Sequence, residues 1–152
     1  MRPFYFAATL SCLMTGTPAL AGDTPFTPDA AATWSMRSLR MAEILNFAPG
    51  ELKGNFKRAC DGLTGEQMKH EYGKEPRWAL SAQLDICLAY DGFAGKFQGS
   101  HTPCKSIEKG IKELDQATAE AAPTEVVEAA RSLQSAVAAL LHATQQANAC
   151  KL

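Results

Sequence analysis

The chain lacks an excess of charge of either sign: 15 lysines and arginines stand against 16 aspartates and glutamates, for a formal net charge of −1. A protein that binds nucleic acid needs a basic surface to meet the phosphates. Two groups of basic residues do occur, namely Lys53, Lys57 and Arg58, and Lys105, Lys109 and Lys112. Acidic residues interleave with both groups. The composition therefore argues against nucleic acid as a partner.

Sequence signatures of metal, haem and catalytic sites are also missing. No C-x-x-C-H is present, and the one conceivable metal site, His101 with Cys104 and Cys87, has no second pair of ligands at zinc spacing. Asp85 and Asp91 do not share a helix face well, so we expect them to accept hydrogen bonds rather than to act as an acid and base. We therefore predict no catalytic residues, no metal and no cofactor.

Long apolar runs are confined to the first residues. Arg2 is followed by an apolar run of secretory length at 4–14, and residues 19–21 (ALA) fit the small-x-small pattern of signal peptidase. A membrane span takes about 20 residues, so the run is too short to be one. The sequence predicts a signal peptide at 1–21 and a single mature domain at 22–152, which is exported to the periplasm or secreted.

The cysteines indicate disulfide bonds. Five are present, and four remain if Cys12 leaves with the leader; acylation of Cys12 is the alternative, but the preceding residues depart from the lipoprotein pattern. An even number in an exported chain predicts two disulfides, and four cysteines allow three pairings. We favour Cys87–Cys104 and Cys60–Cys150, because Cys104 begins the helix after that of Cys87 and Cys150 follows the last helix.

Apolar residues recur at helical spacing through the mature chain, and no stretch shows sustained β alternation. Thr27 is predicted to cap the first helix, with Pro28 at its first position. The predicted helices cover about 28–47, 52–63, 76–93, 104–118 and 124–148, with another turn or two after the capping box at 64–67. The fold class is therefore predicted to be all-α, a small bundle of about five helices cross-linked by disulfides, with Trp34 and Trp78 in its core.

The stretch Cys87-Leu88-Ala89-Tyr90-Asp91-Gly92-Phe93-Ala94-Gly95 is similar to a C-x-x-Y-x-x-G helix, with glycines here at 92 and 95. Thr102-Pro103-Cys104 and an alanine-rich final helix before Cys150 follow it. Through these features the segment 60–150 resembles the periplasmic immunity proteins of the Rap/Tai type. Those are helical, disulfide-linked antidotes to peptidoglycan amidases delivered by type VI secretion. The resemblance implies an inhibitory partner of a cell-wall amidase.

We therefore expect a non-catalytic exported protein that binds another protein. Residues 95–103 (GKFQGSHTP) are turn-favouring, and a loop on a cross-linked scaffold presents its side chains to a partner. Phe97, Gln98 and His101 are the candidate partner contacts.

A second hypothesis is a periplasmic module that binds a small ligand or a metal inside the bundle. It would use Tyr90, Asp85 or Asp91 as polar contacts in an apolar pocket.

Overall fold

The computed structural model of the protein describes residues 25–47, 54, 58–60, 73–93 and 103–146, and this part of the chain is helical and contains no β-strand. The helices are α1 (Pro28–Phe47), α2 (Arg77–Phe93), α3 (Pro103–Leu114), α4 (Gln116–Ala119) and α5 (Thr124–Gln146). Residues 54 and 58–60, inside the predicted second helix, are helical as well. The predicted all-α bundle of about five helices is confirmed. The predicted leader and the capping box at 64–67 lie outside the described residues.

The start of α1 follows its predicted cap. The N–H of Ala30 donates to Thr27 Oγ1 at 3.2 Å, and the N–H of Ala31 donates to the Thr27 carbonyl at 2.9 Å. These bonds satisfy donors that a helix start otherwise leaves unpaired. The N–H of Thr27 itself donates to the carbonyl of Lys74 at 3.3 Å, so the beginning of α1 is tied to the residues just before α2.

The helices pack as two main pairs, α1 along α5 and α2 along α3, and α3 also packs on α5. Small residues at the contacts let these helices approach closely. Gly110 of α3 is the tightest example, because a Cβ there would lie 3.0 Å from Cγ1 of Ile86 and 3.3 Å from the carbonyl oxygen of Ala82. The fully or almost fully buried residues of the core include Ala31, Trp34, Ala79, Ala82, Ile86, Ala89, Ile107, Ala117, Val126, Ala129, Leu133 and Val137.

Three aromatic rings join α1 to α2. Phe26, Trp34 and Trp78 contact one another edge to face, with ring centroids 5.6–6.0 Å apart, a geometry that aromatic pairs favour. Trp34 is fully buried and its Nε1–H donates to the carbonyl of Ala79 at 2.8 Å. Trp78 is also buried, and its Nε1–H donates to Glu120 Oε2 at 2.8 Å. The prediction that both tryptophans anchor the core is confirmed.

The helix predicted from 104 to 118 is interrupted at Asp115, where α3 gives way to α4. Nε2 of Gln134 on α5 donates to the carbonyl of Ile111 at 3.2 Å and to Asp115 Oδ1 at 2.6 Å. In a continuous helix the Ile111 carbonyl accepts from the N–H of Asp115. A side chain of the neighbouring helix therefore engages the backbone where the two helices meet.

Alanine occupies a left-handed position after α4. Ala121 has φ = 51°, its N–H donates to the carbonyl of Thr118 at 3.2 Å, and the N–H of Ala122 donates to the carbonyl of Ala117 at 3.0 Å. These are the two bonds of a Schellman motif, whose left-handed residue is usually glycine. An alanine there carries a steric cost of about 1–2 kcal/mol.

Replacing Ala121 with glycine is expected to raise the free energy of unfolding by about 0.5–1 kcal/mol, since the relief of steric strain exceeds the extra flexibility of the unfolded chain. Urea denaturation of the two proteins measures this difference. Ala138→Gly, at an exposed position inside α5, is the control and is expected to destabilise by about 1 kcal/mol. Destabilisation by both substitutions would contradict the assigned backbone conformation.

Candidate functional site

A disulfide bond joins Cys60 to Cys87 of α2, with their Cα atoms 5.5 Å apart. The favoured pairing of Cys87 with Cys104 and of Cys60 with Cys150 is therefore wrong. The physical reason is that α3 packs on a face of α2 from which the Cys87 side chain does not project. Gly110 of α3 lies against Ile86, and successive residues of a helix are rotated by roughly 100°, so the Cys87 side chain leaves α2 in another direction.

Cys104, in the first turn of α3, is disulfide-bonded too, to a cysteine outside the described residues. Cys87 lies in the second half of α2, so both helices that flank the connection 94–102 carry a bonded cysteine. The same two helices pack along each other. The two ends of the connection are thus fixed by packing and by covalent cross-links.

The predicted partner contacts Phe97, Gln98 and His101 belong to this connection and lie outside the described residues. Tyr90 and Asp91 are in α2, but their side chains lie outside the described part of the structure.

A cluster of three charged side chains lies where α2 meets α3. Nζ of Lys109 donates to Asp85 Oδ2 at 2.6 Å and lies 3.4 Å from Glu113 Oε1. The Asp85 side chain is 11% exposed and the Glu113 side chain 18%, whereas that of Lys109 is 61% exposed. Two nearly buried carboxyl groups therefore share one lysine at the surface. The expectation that Asp85 accepts a hydrogen bond is confirmed.

The electrostatics of this cluster favour a proton on Glu113. Burial, followed by hydrogen bonding to Asp85 and the negative charge of Asp85, raises the pKa of Glu113 from 4.5 to about 7, although Lys109 acts in the opposite direction. The hydrogen bond to Asp85 raises the pKa of Lys109, and the charges of Asp85 and Glu113 add to this effect against its partial burial. Lys109 therefore stays charged while Glu113 titrates near neutrality.

Glu113 was not identified from the sequence. Its i, i+4 spacing from Lys109 was a readable signal of an ion pair on α3. Its raised pKa comes first from burial and then from Asp85, which is on another helix and distant in the chain.

Buried polar groups also hold α1 against α2. Gln83 is fully buried, and its Nε2 donates to Ser38 Oγ at 2.9 Å and to the carbonyl of Trp34 at 3.3 Å. Arg37 on α1 reaches the buried Glu75 just before α2, at 3.5 Å. Since these side chains bridge the two helices, we interpret them as structural.

The outer face of α1 carries the two large hydrophobic side chains that are exposed in the described part of the chain. Met36 is 69% exposed and Leu39 is 47% exposed. Single exposed apolar side chains are normal on protein surfaces, and these two form a small patch.

In the described ranges, no group of three or more His, Cys, Asp or Glu side chains is arranged to hold a metal ion. No helix in those ranges is long and apolar enough to cross a membrane.

Comparison with known proteins identifies no relative: no family model matches the chain, and neither a curated protein nor a solved structure matches it.

Proposed function

We propose that this is an exported, non-catalytic helical protein that binds another protein through the connection between α2 and α3. The observation that carries the proposal is the pair of disulfide-bonded cysteines on either side of that connection, Cys87 and Cys104. Disulfides persist in oxidising compartments outside the cytoplasm, which is consistent with the leader predicted at 1–21.

The fixed ends favour binding for an entropic reason. Association costs roughly 0.5–1.5 kcal/mol for each flexible side chain that becomes ordered, and the ordering of loops adds to that cost. A connection whose two ends are on packed, cross-linked helices loses less conformational entropy when it binds a partner. Functional side chains are commonly placed on loops held by a rigid scaffold, and residues 95–103 supply Phe97, Gln98 and His101 for contact.

The class of partner is a cell-wall amidase, and the protein is its immunity protein. This part of the proposal is supported by the resemblance of residues 87–95, 102–104 and the alanine-rich last helix to Rap/Tai-type immunity proteins. The alternative, a module for a small ligand or a metal, stays a prediction; its candidate Asp85 is engaged by Lys109 in the structure.

The test measures binding of the disulfide-bonded mature chain, 22–152, to a peptidoglycan amidase encoded beside its own gene. We expect calorimetry to show a stoichiometric complex in which the amidase is inhibited. Replacing Phe97, Gln98 and His101 together with alanine is expected to weaken binding at least tenfold, or by about 1.4 kcal/mol.

The matched control is the double substitution Met36→Ala and Leu39→Ala, which removes exposed apolar surface on α1 and is expected to leave the affinity unchanged. A loss of binding in the control with none in the loop variant would overturn the assignment to the 94–102 connection. No binding and no inhibition by the unmodified chain would overturn the function itself.

A further inference from the structure

As far as the described residues go, the contact between α2 and α3 contains one hydrogen-bond donor too few. Two carboxyl groups, Asp85 and Glu113, meet there with a single ammonium group, that of Lys109. Lys109 Nζ is close to one oxygen of each, at 2.6 Å and 3.4 Å. Glu113 Oε2 is buried, and no described residue places a hydrogen-bond donor beside it. A buried acceptor without a donor is costly, and a carboxylate more so than a neutral group.

A single proton corrects this shortage. When Glu113 is protonated, its hydroxyl becomes a donor, and the Asp85 carboxylate is the acceptor within its reach. The cluster then holds one carboxylate, one neutral acid and one ammonium, and its charges cancel. When Glu113 is ionised, two carboxylates repel each other at a nearly buried contact and one ammonium faces both.

We propose that Asp85, Lys109 and Glu113 form a proton-controlled latch between α2 and α3, closed when Glu113 is neutral and weakened when Glu113 is ionised. The groups that act on Glu113 are on both sides of the contact: Asp85 belongs to α2, and Lys109 belongs to α3 one turn before Glu113. From α5, the uncharged side chain of Gln134 reaches this end of α3 and donates to Asp115 Oδ1.

The direction of the pH dependence follows from the raised pKa of Glu113, about 7 in the folded protein against 4.5 as the ordinary value. The folded state holds this proton more tightly than the unfolded state does. The stabilisation is therefore complete below about pH 4.5 and is lost as the pH rises through about 7. The latch is closed in mildly acidic surroundings and weak in alkaline ones.

The experiment uses the disulfide-bonded chain without any partner, so its outcome is independent of the proposed function. The unfolding equilibrium constant is measured by urea denaturation at about pH 5 and pH 8 for the unmodified protein, for Glu113→Gln and for Glu108→Gln. Glu113→Gln keeps the size of the side chain without the ionisation, and Glu108 is an exposed acid on the same helix.

From about pH 5 to pH 8, the unfolding equilibrium constant is expected to increase for the unmodified protein. The factor of this increase is expected to be at least about ten times the factor for Glu113→Gln. Glu108→Gln is expected to behave as the unmodified protein. A carboxyl titration of Glu113 in the unmodified protein, followed by carbon-13 NMR, is expected to give a midpoint near 7 and does not depend on how well a variant folds. A midpoint below about 5, or an equal pH response of Glu113→Gln and the unmodified protein, would overturn the latch.

Discussion

Replacing Trp34 with alanine is expected to lower the free energy of unfolding by about 3–5 kcal/mol, the usual range for removing a buried tryptophan. Trp34 is fully buried and touches both Phe26 and Trp78 at their ring edges. Its removal leaves a cavity at the junction of α1 and α2, and the carbonyl of Ala79 loses its 2.8 Å donor. Urea denaturation followed by circular dichroism measures the loss.

Two further variants separate the causes. Trp34→Phe keeps much of the ring but removes the Nε1–H, so we expect a destabilisation of about 1–3 kcal/mol, from the lost hydrogen bond to Ala79 and the smaller ring. Met36→Ala changes a large side chain on the same helix that is 69% exposed, and is expected to stay within about 0.5 kcal/mol of the parent. A loss below 1 kcal/mol for Trp34→Ala would show that this junction is not part of the stable core.

Removing the Cys60–Cys87 bond is expected to cost a similar amount, about 3–4 kcal/mol. The two cysteines are 27 residues apart in the chain. In the loop-entropy description, a cross-link that closes a loop of this size lowers the entropy of the unfolded chain, which raises the free energy of unfolding by about 3–4 kcal/mol. Cys60→Ser, Cys87→Ser and the double variant break the same bond, so their losses are expected to agree within about 1 kcal/mol. A loss in Cys87→Ser with none in Cys60→Ser would contradict the pairing.

Peptide mapping without reduction tests both disulfides directly. Cleavage after lysine and arginine places Cys60 in peptide 59–69 and Cys87 in peptide 78–96, and these two are expected to run as one linked species. If residues 1–21 are removed and Cys60 is joined to Cys87, Cys150 is the remaining disulfide partner for Cys104. We therefore expect a second linked species of peptides 97–105 and 132–151. A link between 78–96 and 97–105 would overturn the described arrangement of α2 and α3.

The features that sequence reasoning found correctly depend on short stretches of chain. The cap at Thr27 needs only the next few residues, and the burial of Trp34 and Trp78 follows from helical spacing and side-chain size. The all-helical class follows from the same periodicity, repeated over several segments. None of these predictions required knowledge of which helix packs on which.

The features that it missed depend on how helices pack. The partner of Cys87 is decided by the face of α2 that α3 covers, and spacing along the chain does not specify that face. The raised pKa of Glu113 depends first on burial and then on Asp85, 28 positions earlier and on another helix. The break at Asp115 coincides with hydrogen bonds from Gln134 of α5, which the spacing within 104–118 does not reveal. Each is a consequence of tertiary contact.

The aromatic cluster has an optical consequence. The chain has 2 tryptophans, and both are in contact in that cluster. Intrinsic emission therefore reports the docking of α1 on α2, while circular dichroism at 222 nm reports the helices of the whole chain. A fluorescence midpoint that precedes the dichroism midpoint would show that α1 separates from α2 before the remaining helices melt, and coincident midpoints would show a single cooperative transition.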